Sequence, residues 1–453
     1  MEVKTRELEE MKELISYLQQ RDLKSIRTFI DELHPYDLGQ YFFSLNEIHR
    51  RRLLTVLMSN EIADLLQELD LKEQKEVIIA LGAKKTADVL NLMPSDDTAD
   101  LLAELDDTKA QKLLTDMEIG EADKVRALLR YPEDTAGGIM TNEYVSIFRS
   151  HTVETVISFL RKEAPTAETV YYLYVLDFDR TLVGVVSLRD ILISSPETTI
   201  DDIMYERVIS VPADMDQEEA AQILERYDFL ALPVVDEHHR LLGIITVDDV
   251  IDVLIEEAQE DISNLSAVGV TDKEIFVHPL LSARRRIPWL LLLLVIGMAT
   301  ANLLVLFEGT MDALPVLVLF MPMIAGMTGN TATQSLGLII RGLSNQQVSE
   351  KNYRQIIRQE GFVGGIIGLI CSVFIIIMIS IWKNSIELGV VVGGSLFFTL
   401  LIGTLVGTLI PLVLNQFKID PTVASGPLIT TLNDVLSLMV YYGLATLFIQ
   451  YLL

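Results

Sequence analysis

The chain has 453 residues, half of them apolar, and it carries a formal net charge of -28. All but seven of its 64 acidic residues and all but six of its 36 basic residues precede Ile287, so a strongly acidic soluble part is followed by a nearly neutral apolar part. Such an acidic surface repels nucleic acid and anionic lipid and either attracts divalent cations or simply keeps the soluble part in solution.

The cysteine content and the amino terminus indicate in which cellular compartment the soluble part lies. The single cysteine, Cys371, excludes a disulfide framework and a multi-cysteine zinc site, and it fits a soluble part in a reducing compartment. The amino terminus, MEVKTRELEEMKELI, is charged and amphipathic, so we expect no cleaved signal peptide.

Helical spacing of apolar residues predicts an acidic all-α domain over residues 1–131. The motif IADLLQELD returns later as TADLLAELD, which indicates short stacked helices that build a small superhelix. Pro94 and Ser95 are typical of a helix start, where Asp96 would complement the helix dipole. Asp96 and Asp100 also share one helix face, so the alternative is that both contact a divalent ion together with a carboxylate from elsewhere.

Two copies of an α/β unit are predicted over residues 132–200 and 201–256. Each copy has a helix, an apolar strand, a polar turn, a glycine (Gly184 or Gly243) and a second strand that ends in an S/T-x-x-D element. These features recur at nearly constant offset. In this respect the region resembles a tandem pair of CBS domains, regulatory modules that often bind adenine nucleotides.

The resemblance to CBS domains implies how a nucleotide such as ATP would bind. The S/T-x-x-D carboxylate would accept the ribose hydroxyls, and one site is favoured over two. Its residues would be Tyr172, Ser187, Arg189, Asp190 and Phe229. The alternative is that the hydroxyl residues Ser187 and Thr246 only cap the helices that follow them.

An acidic helix is predicted over residues 250–280, between the second copy and the membrane part. Steps of three and four residues align Asp249, Asp252, Glu256 and Glu260 on one face. Like charges at this density destabilise a helix unless solvent or a cation neutralises them. A divalent cation would neutralise them better than solvent, and its binding could then be transmitted to the membrane.

Hydropathy predicts a multidomain integral membrane protein whose last part, residues 281–453, is an α-helical domain with five spans. Basic residues precede the first span and fill the loop 341–360. The positive-inside rule therefore predicts a multi-pass protein of the cell membrane with cytoplasmic amino-terminal domains and its carboxyl terminus outside. The predicted spans are 288–307, 314–340, 361–382, 388–414 and 427–452.

The last span contains a single charged residue, Asp434. A carboxylate at the centre of a bilayer costs at least about 2.5 kcal/mol and usually faces a partner or a water-filled path. In the second span Pro322, Gly326 and Gly329 predict a broken helix, which membranes tolerate beside a wet cavity. Because hard divalent cations prefer oxygen ligands, Asp434 and the amide of Asn330 are predicted to line a cation path.

The segments PMIAGMTGNTATQS and IDPTVASGPLITTLND, together with the CBS pair and the acidic helical domain, resemble the MgtE family of magnesium channels and transporters. The resemblance covers nearly the whole chain. It implies a homodimer whose ten spans form one Mg2+-selective channel for magnesium uptake, closed when cytosolic Mg2+ bridges the regulatory domains. Asn330 and Asp434 match the pore positions of the family. Two residues depart from its pattern: Thr328 replaces the first glycine of a G-G-N motif, and Thr422 replaces the alanine after Asp-Pro.

The same resemblance implies a set of acidic residues that bind regulatory Mg2+ in the soluble part and at the cytoplasmic mouth of the pore. They are Asp96, Asp100, Asp216, Glu218, Asp228, Asp249, Asp252, Glu257, Glu260 and Asp420.

Three other classes of protein fit the sequence less well than a channel. A secondary transporter would use Asp434 as a proton carrier, but the spans show no inverted repeat and no second intramembrane acid for a relay. A membrane metalloprotease would need a motif such as H-E-x-x-H, whereas all six histidines precede the membrane part. A soluble sensor with a passive anchor would not need Asn330 and Asp434 at depth. We predict no enzyme activity, and as partners Mg2+, membrane lipid and a second copy of the chain, but no nucleic acid.

Overall fold

The structure is a computed structural model that describes residues 2–163, 167–266, 278–344, 347–349, 351–424 and 426–452. The chain divides into two compact units, Met1–Ile255 and Glu256–Leu453.

Short helices with polar caps make up the amino-terminal part of the first unit. At one of these caps, the Asp70 side chain accepts a hydrogen bond from the backbone N–H of Glu73 at 2.9 Å, and the Glu73 side chain accepts one from the backbone N–H of Asp70. Apolar residues on the facing sides of the helices share one core. The predicted all-α domain is confirmed. Its helices are α1 (Glu2–Gln20), α2 (Leu23–Asp31), α3 (Pro35–Ser44), α4 (Glu47–Val56), α5 (Ser59–Gln67), α6 (Leu71–Leu81), α7 (Ala83–Leu90), α8 (Ser95–Ala103), α9 (Asp107–Asp116) and α10 (Ile119–Leu128).

Two three-stranded sheets of the same topology follow, which confirms the predicted tandem α/β pair. In each sheet the first strand is parallel to the second, and the second is antiparallel to the third. The recurring glycine has a steric reason, because a Cβ at Gly243 would lie 2.5 Å from the carbonyl oxygen of Thr141, which forms an antiparallel bridge with the neighbouring Ile244. The elements are β1 (Tyr144–Phe148), α11 (Val153–Glu163), β2 (Thr169–Leu176), β3 (Leu182–Ser187), α12 (Leu188–Ile193), β4 (Val211–Pro212), α13 (Gln217–Arg226), β5 (Ala231–Val235), β6 (Leu241–Thr246) and α14 (Val247–Leu265).

The helical domain packs directly on the α/β pair. One buried cluster contains residues of the helices, such as Leu101, and residues of the second α/β copy, such as Leu232 and Val250. A hydrogen bond of 2.8 Å joins the hydroxyl of Ser95 to the side-chain oxygen of Asn142. The first unit is therefore a single packed body in which α8 and the start of α14 come close together.

The second unit contains α15 (Pro279–Val305), α16 (Glu308–Ala313), α17 (Met321–Ser344), α18 (Tyr353–Lys383), α19 (Ile386–Gln416), α20 (Gly426–Leu447) and α21 (Ile449–Leu452). Among the described residues, five helical segments are long and apolar enough to cross a membrane, which confirms the predicted five-span helical domain. Small residues bring these helices close together. A Cβ at Gly407 of α19, for example, would lie 2.1 Å from the carbonyl oxygen of Ala332 in α17.

The prediction that Pro322, Gly326 and Gly329 break the second span is wrong. α17 runs without interruption, and the irregular segment is the 3-10 turn Pro315–Phe320 just before it. Pro322 falls in the first turn of α17, where a missing N–H leaves no helical hydrogen bond unmade. Gly329 serves close packing instead, because a Cβ there would lie 2.8 Å from Cγ2 of Thr430.

The acidic helix predicted over 250–280 corresponds in its first part to α14, which ends at Leu265. Residues 267–277 lie outside the described residues. α15 begins at Pro279, after the capping side chain of His278.

Candidate functional site

A group of carboxylates lies where the helical domain packs on the α/β pair. Asp96 and Asp97 stand in the first turn of α8, Asp249 lies in the first turn of α14, and Glu168 directly precedes β2. The Thr246 hydroxyl donates a hydrogen bond to the Asp249 carboxylate. Oδ1 of Asp96 is buried and has no hydrogen-bond partner in the part of the chain that the structure describes. We call these four residues the interdomain carboxylates.

Burial and mutual repulsion make the charged form of the interdomain carboxylates unfavourable. Burial raises the pKa of Asp96 to about 7, and the charge of Glu168 adds to this effect. Burial and the charges of Asp96 and Asp249 raise the pKa of Asp97 to about 8. Burial, followed by the charge of Asp96, raises the pKa of Asp249 to about 7. The pKa of Glu168 is raised by burial and then by the charge of Asp249.

Within the described ranges, the interdomain carboxylates have no basic side chain paired with them. Nor do any three His, Cys, Asp or Glu side chains in the described ranges converge closely enough to form a ready-made metal site. The arrangement therefore concentrates negative charge at a packed interface, where hydrated divalent cations would relieve repulsion.

Two members of this group were not predicted from the sequence. Asp97 directly follows Asp96 in the first turn of α8, where an acid is also explained by the helix dipole. Glu168 stands immediately before β2, as Leu230 stands immediately before β5 in the second copy. A comparison of the two copies could have drawn attention to Glu168, because it places an acid where the second copy has a leucine.

Of the remaining predicted regulatory residues of the first unit, Asp100 lies close enough for its charge to raise the pKa of Asp96 and Asp97. Three others, Asp216, Glu218 and Asp228, belong to α13 and its ends. Asp100 is exposed on α8, and Asp228 is exposed and has a positive φ of 53°. Asp216 caps α13 and accepts a hydrogen bond of 2.9 Å from the backbone N–H of Glu218. The Glu218 side chain in turn accepts one from Gln222 at 3.0 Å. Their roles in binding Mg2+ stay predictions.

The acidic face of α14 continues toward its carboxyl end. Asp252 and Glu260 are exposed there, while Glu257 is partly buried. Near the end of the helix, burial raises the pKa of Asp261, and the charge of Asp420 raises it further. Asp420 caps the 3-10 turn Pro421–Val423. α14 and this turn thus bring acidic side chains together just before α20.

Four of the five predicted nucleotide residues lie on β2, at the end of β3 and on α12 in the first α/β copy, whereas Phe229 lies between α13 and β5 of the second copy. Ser187 directly precedes α12, and its hydroxyl donates to the Asp190 carboxylate at 2.6 Å and accepts from the Asp190 backbone N–H at 3.1 Å. Tyr172 is opposite Ser187 in the β2–β3 ladder, Arg189 is exposed, and Phe229 stacks on Tyr227 with ring centroids 5.5 Å apart. Ser187 therefore caps α12. Because capping is compatible with a bound nucleotide, nucleotide binding stays a prediction.

In the second unit, the two predicted pore residues lie on α17 and α20, which pack against each other. Gly329 and Thr430 are in close contact, and the hydroxyls of Thr333 and Thr430 are 3.4 Å apart. Asn330, next to Gly329, is exposed, and Asp434 in α20 is half-buried. The geometry places the amide and the carboxylate on two packed helices, both at least partly accessible in the single protomer.

Two buried polar side chains of the membrane unit were not predicted. Asn433 is 0% exposed, and neither atom of its side-chain amide has a hydrogen-bond partner. Glu360 is 4% exposed and accepts a hydrogen bond from the Ser335 hydroxyl at 3.1 Å. Glu360 lies within α18, one residue before the predicted third span, and its burial adds a second acid to the packed helices of this unit. The sequence placed Glu360 just before a span because the polar residues preceding it hide the true start of the helix.

Comparison with known families accounts for most of the chain. The MgtE family, described as divalent cation transporters, matches residues 321–444. The MgtE intracellular N domain matches residues 33–134, and CBS domains match residues 136–197 and 200–256.

Curated relatives match over nearly the whole length of the chain. The magnesium transporter MgtE of Bacillus subtilis (strain 168) is 45% identical over 437 residues, which cover 96% of this chain and 97% of that protein. The chain belongs to the MgtE family. The magnesium transporter MgtE of Enterococcus faecalis (strain ATCC 700802 / V583) is 41% identical over 440 residues, 97% of both chains. The MgtE family consists of membrane transporters, so the predicted family and the predicted absence of enzyme activity are confirmed.

Two solved structures resemble the soluble part. One is the crystal structure of the soluble part of a magnesium transporter, with a TM-score of 0.53 and 41% identity over 56% of this chain and 99% of that chain. The other is the crystal structure of the cytosolic domain of the Mg2+ channel MgtE in complex with ATP, with a TM-score of 0.52 and 42% identity over 54% of this chain and 99% of that chain. An MgtE cytosolic fold is thus shared across the helical domain and the CBS pair.

Proposed function

We propose that this protein is a Mg2+-selective channel for magnesium uptake that cytosolic Mg2+ closes. Full-length relatives are named magnesium transporters, and one similar cytosolic structure is that of a Mg2+ channel. The observation that carries the regulatory part is the group of interdomain carboxylates, which is packed without a basic partner among the described residues.

In this proposal the pore forms on the two-fold axis of a homodimer in the cell membrane. Asp434 and Asn330 contact Mg2+ that keeps part of its water shell, because Mg2+ gives up water reluctantly. The half-buried position of Asp434 and the exposed position of Asn330 support a path that a second protomer completes. The amino-terminal domains are cytoplasmic and the carboxyl terminus is outside.

Regulation follows from electrostatics. At low cytosolic Mg2+, repulsion between Asp96, Asp97, Glu168 and Asp249 opposes packing of the helical domain on the CBS pair. At high Mg2+, cations between these residues favour the packed arrangement, and the pore closes. A ligand shifts such an equilibrium only by its difference in affinity for the two states, and the packed carboxylates supply that difference. The acidic face of α14, with Asp252, Glu257 and Glu260, carries further cations in the same way.

ATP is proposed to bind in the cleft of the first S/T-x-x-D element only. There the aspartate follows Arg189, whereas the matching residue of the second element is Asp248. A cation beside the cleft attracts phosphate, and an anion repels it. The second cleft, with Asp248, Asp249 and Glu168, therefore suits a cation, and the first suits a nucleotide.

We expect Asp190→Ala to weaken ATP binding at least about tenfold. The carboxylate that would accept the ribose hydroxyls is lost, and hydrogen bonds to charged groups contribute about 1.5–3 kcal/mol. Isothermal titration of the purified full-length protein with ATP measures the change. Asp214→Ala, at an exposed position of the second CBS domain, is the matched control. Equal ATP affinity in both variants and the wild type would place the nucleotide elsewhere.

Single-channel recording of the purified wild type in a planar bilayer tests the function itself. We expect Mg2+ currents that fall as Mg2+ is raised on the cytosolic side. The buried Glu360 favours a second candidate, a secondary transporter that exchanges Mg2+ for protons. Mg2+ transport without unitary currents, driven by an imposed pH gradient in liposomes, would support the exchanger and contradict the channel.

A further inference from the structure

The carboxyl end of α14 is hydrogen-bonded to the turn that precedes α20. Nδ2 of Asn264 donates to the hydroxyl oxygen of Thr422 at 3.1 Å and lies 3.4 Å from Oδ2 of Asp420. All three residues belong to the second unit. Their contact spans a large separation in sequence, so it fixes the position of one segment relative to the other.

Thr422 connects the amide to the carboxylate. It is 2% exposed, and its hydroxyl donates its only proton to Oδ2 of Asp420, while its backbone N–H donates to Oδ1 at 2.8 Å. The hydroxyl is thus an acceptor for Asn264 and a donor for Asp420, and both oxygens of the carboxylate are held. Side chains behind a metal ligand act in this way, because they fix its orientation.

The same turns of α14 reach the ends of both helices that carry the predicted pore residues. The hydroxyl of Ser344, the last residue of α17, donates to Oδ2 of Asp261 at 3.4 Å. A Cβ at Gly426, the first residue of α20, would lie 3.5 Å from the carbonyl oxygen of Leu265. A displacement of the end of α14 would therefore act on α17 and α20 together.

We infer that Asn264 and Thr422 are positioning residues that hold the Asp420 carboxylate for Mg2+ and join α14 to the start of α20. The inference rests on the proposed closure by cytosolic Mg2+. The hydrogen bond between Asn264 and Thr422 joins two uncharged side chains, so it persists when Mg2+ dissociates. Movement of α14 is therefore transmitted to α20 both with and without bound Mg2+. Mg2+ at Asp420 adds to a contact that the protein already makes.

Patch recording of the full-length protein with varied cytosolic Mg2+ tests the inference. Thr422→Val keeps the shape of the side chain and removes the hydroxyl. We expect it to raise the Mg2+ concentration for half-inhibition about tenfold, the lower end of the effect of removing a partner behind a metal ligand. Current at low Mg2+ should stay at the wild-type level. Thr422→Ser should restore wild-type inhibition, because it keeps the hydroxyl.

Asn264→Ala and the double variant decide whether the two residues act through one contact. Asn264→Ala should also raise the half-inhibiting concentration, and the double variant should add little to Thr422→Val. Ser263→Ala, one position earlier on α14, is the control. Unchanged inhibition in both single variants, or fully additive effects, would overturn the inference while the function stands. A wild type that Mg2+ does not inhibit would contradict the proposed function and with it this inference.

Discussion

Replacement of Asp434 by alanine is expected to reduce Mg2+ flux about 100-fold. Asp434 is a half-buried carboxylate in an otherwise uncharged helix, and α20 packs on α17, which carries Asn330. Partners that only orient a metal ligand contribute about 10- to 100-fold to metal affinity, so loss of the ligand itself should have at least the larger effect. Uptake of Mg2+ into liposomes that contain the purified protein measures the flux.

Asp434→Asn separates charge from hydrogen bonding at this position. It keeps one oxygen and the size of the side chain, so we expect a conducting protein that no longer prefers divalent over monovalent cations. Asp312→Asn, at an exposed acid of α16 in the same unit, is the matched control. Wild-type flux and selectivity in Asp434→Ala would remove this residue from the ion path.

Joint replacement of Asp96 and Asp249 by asparagine is expected to abolish most of the response to cytosolic Mg2+. The two carboxylates lie on opposite sides of the contact between the helical domain and the CBS pair, and the charge of Asp96 raises the pKa of Asp249. Without them the packed state offers Mg2+ little differential affinity. We expect the ratio of current at low Mg2+ to current at high Mg2+ to fall at least about fivefold, the lower range of allosteric coupling.

Patch recording with a stepped Mg2+ concentration on the cytosolic side measures this ratio. Asp88→Asn, an exposed acid on α7, changes the net charge of the helical domain away from the contact and serves as the control. A double variant with the wild-type ratio would exclude the interdomain carboxylates as the Mg2+ sensor. Loss of the response in Asp88→Asn as well would point to overall charge rather than to this contact.

The sequence predicted the architecture because each part has its own periodic signal. Helical spacing identified the amino-terminal domain, the repeated strand pattern identified the CBS pair, and long apolar runs identified the spans. These signals are local, so they need no knowledge of packing. The same locality explains the error in the second span, where Pro322 was visible but its place in the first turn of α17 was not.

The candidate sites were only partly visible in the sequence. Asp434 stood out because a lone charge in an apolar run is costly wherever the helix lies. Glu360 did not stand out, since its burial depends on helix packing and its neighbours in sequence are polar. Asp97 and Glu168 were missed as partners of Asp249, because residues far apart in sequence repel one another only after the domains pack.

By itself, the sequence determined which domains the protein contains. They are an acidic helical domain, a duplicated α/β module and a helical membrane part with a lone carboxylate in its last span. Periodicity and charge are properties of segments, and segments keep them in any tertiary arrangement. Only the tertiary structure decided which carboxylates share one interface. It also decided which neutral side chains, one of them at the end of α14, contact the Asp420 carboxylate. Hydrogen bonds and repulsion act over a few ångströms, and folding alone brings residues such as Asn264 and Thr422 within that distance.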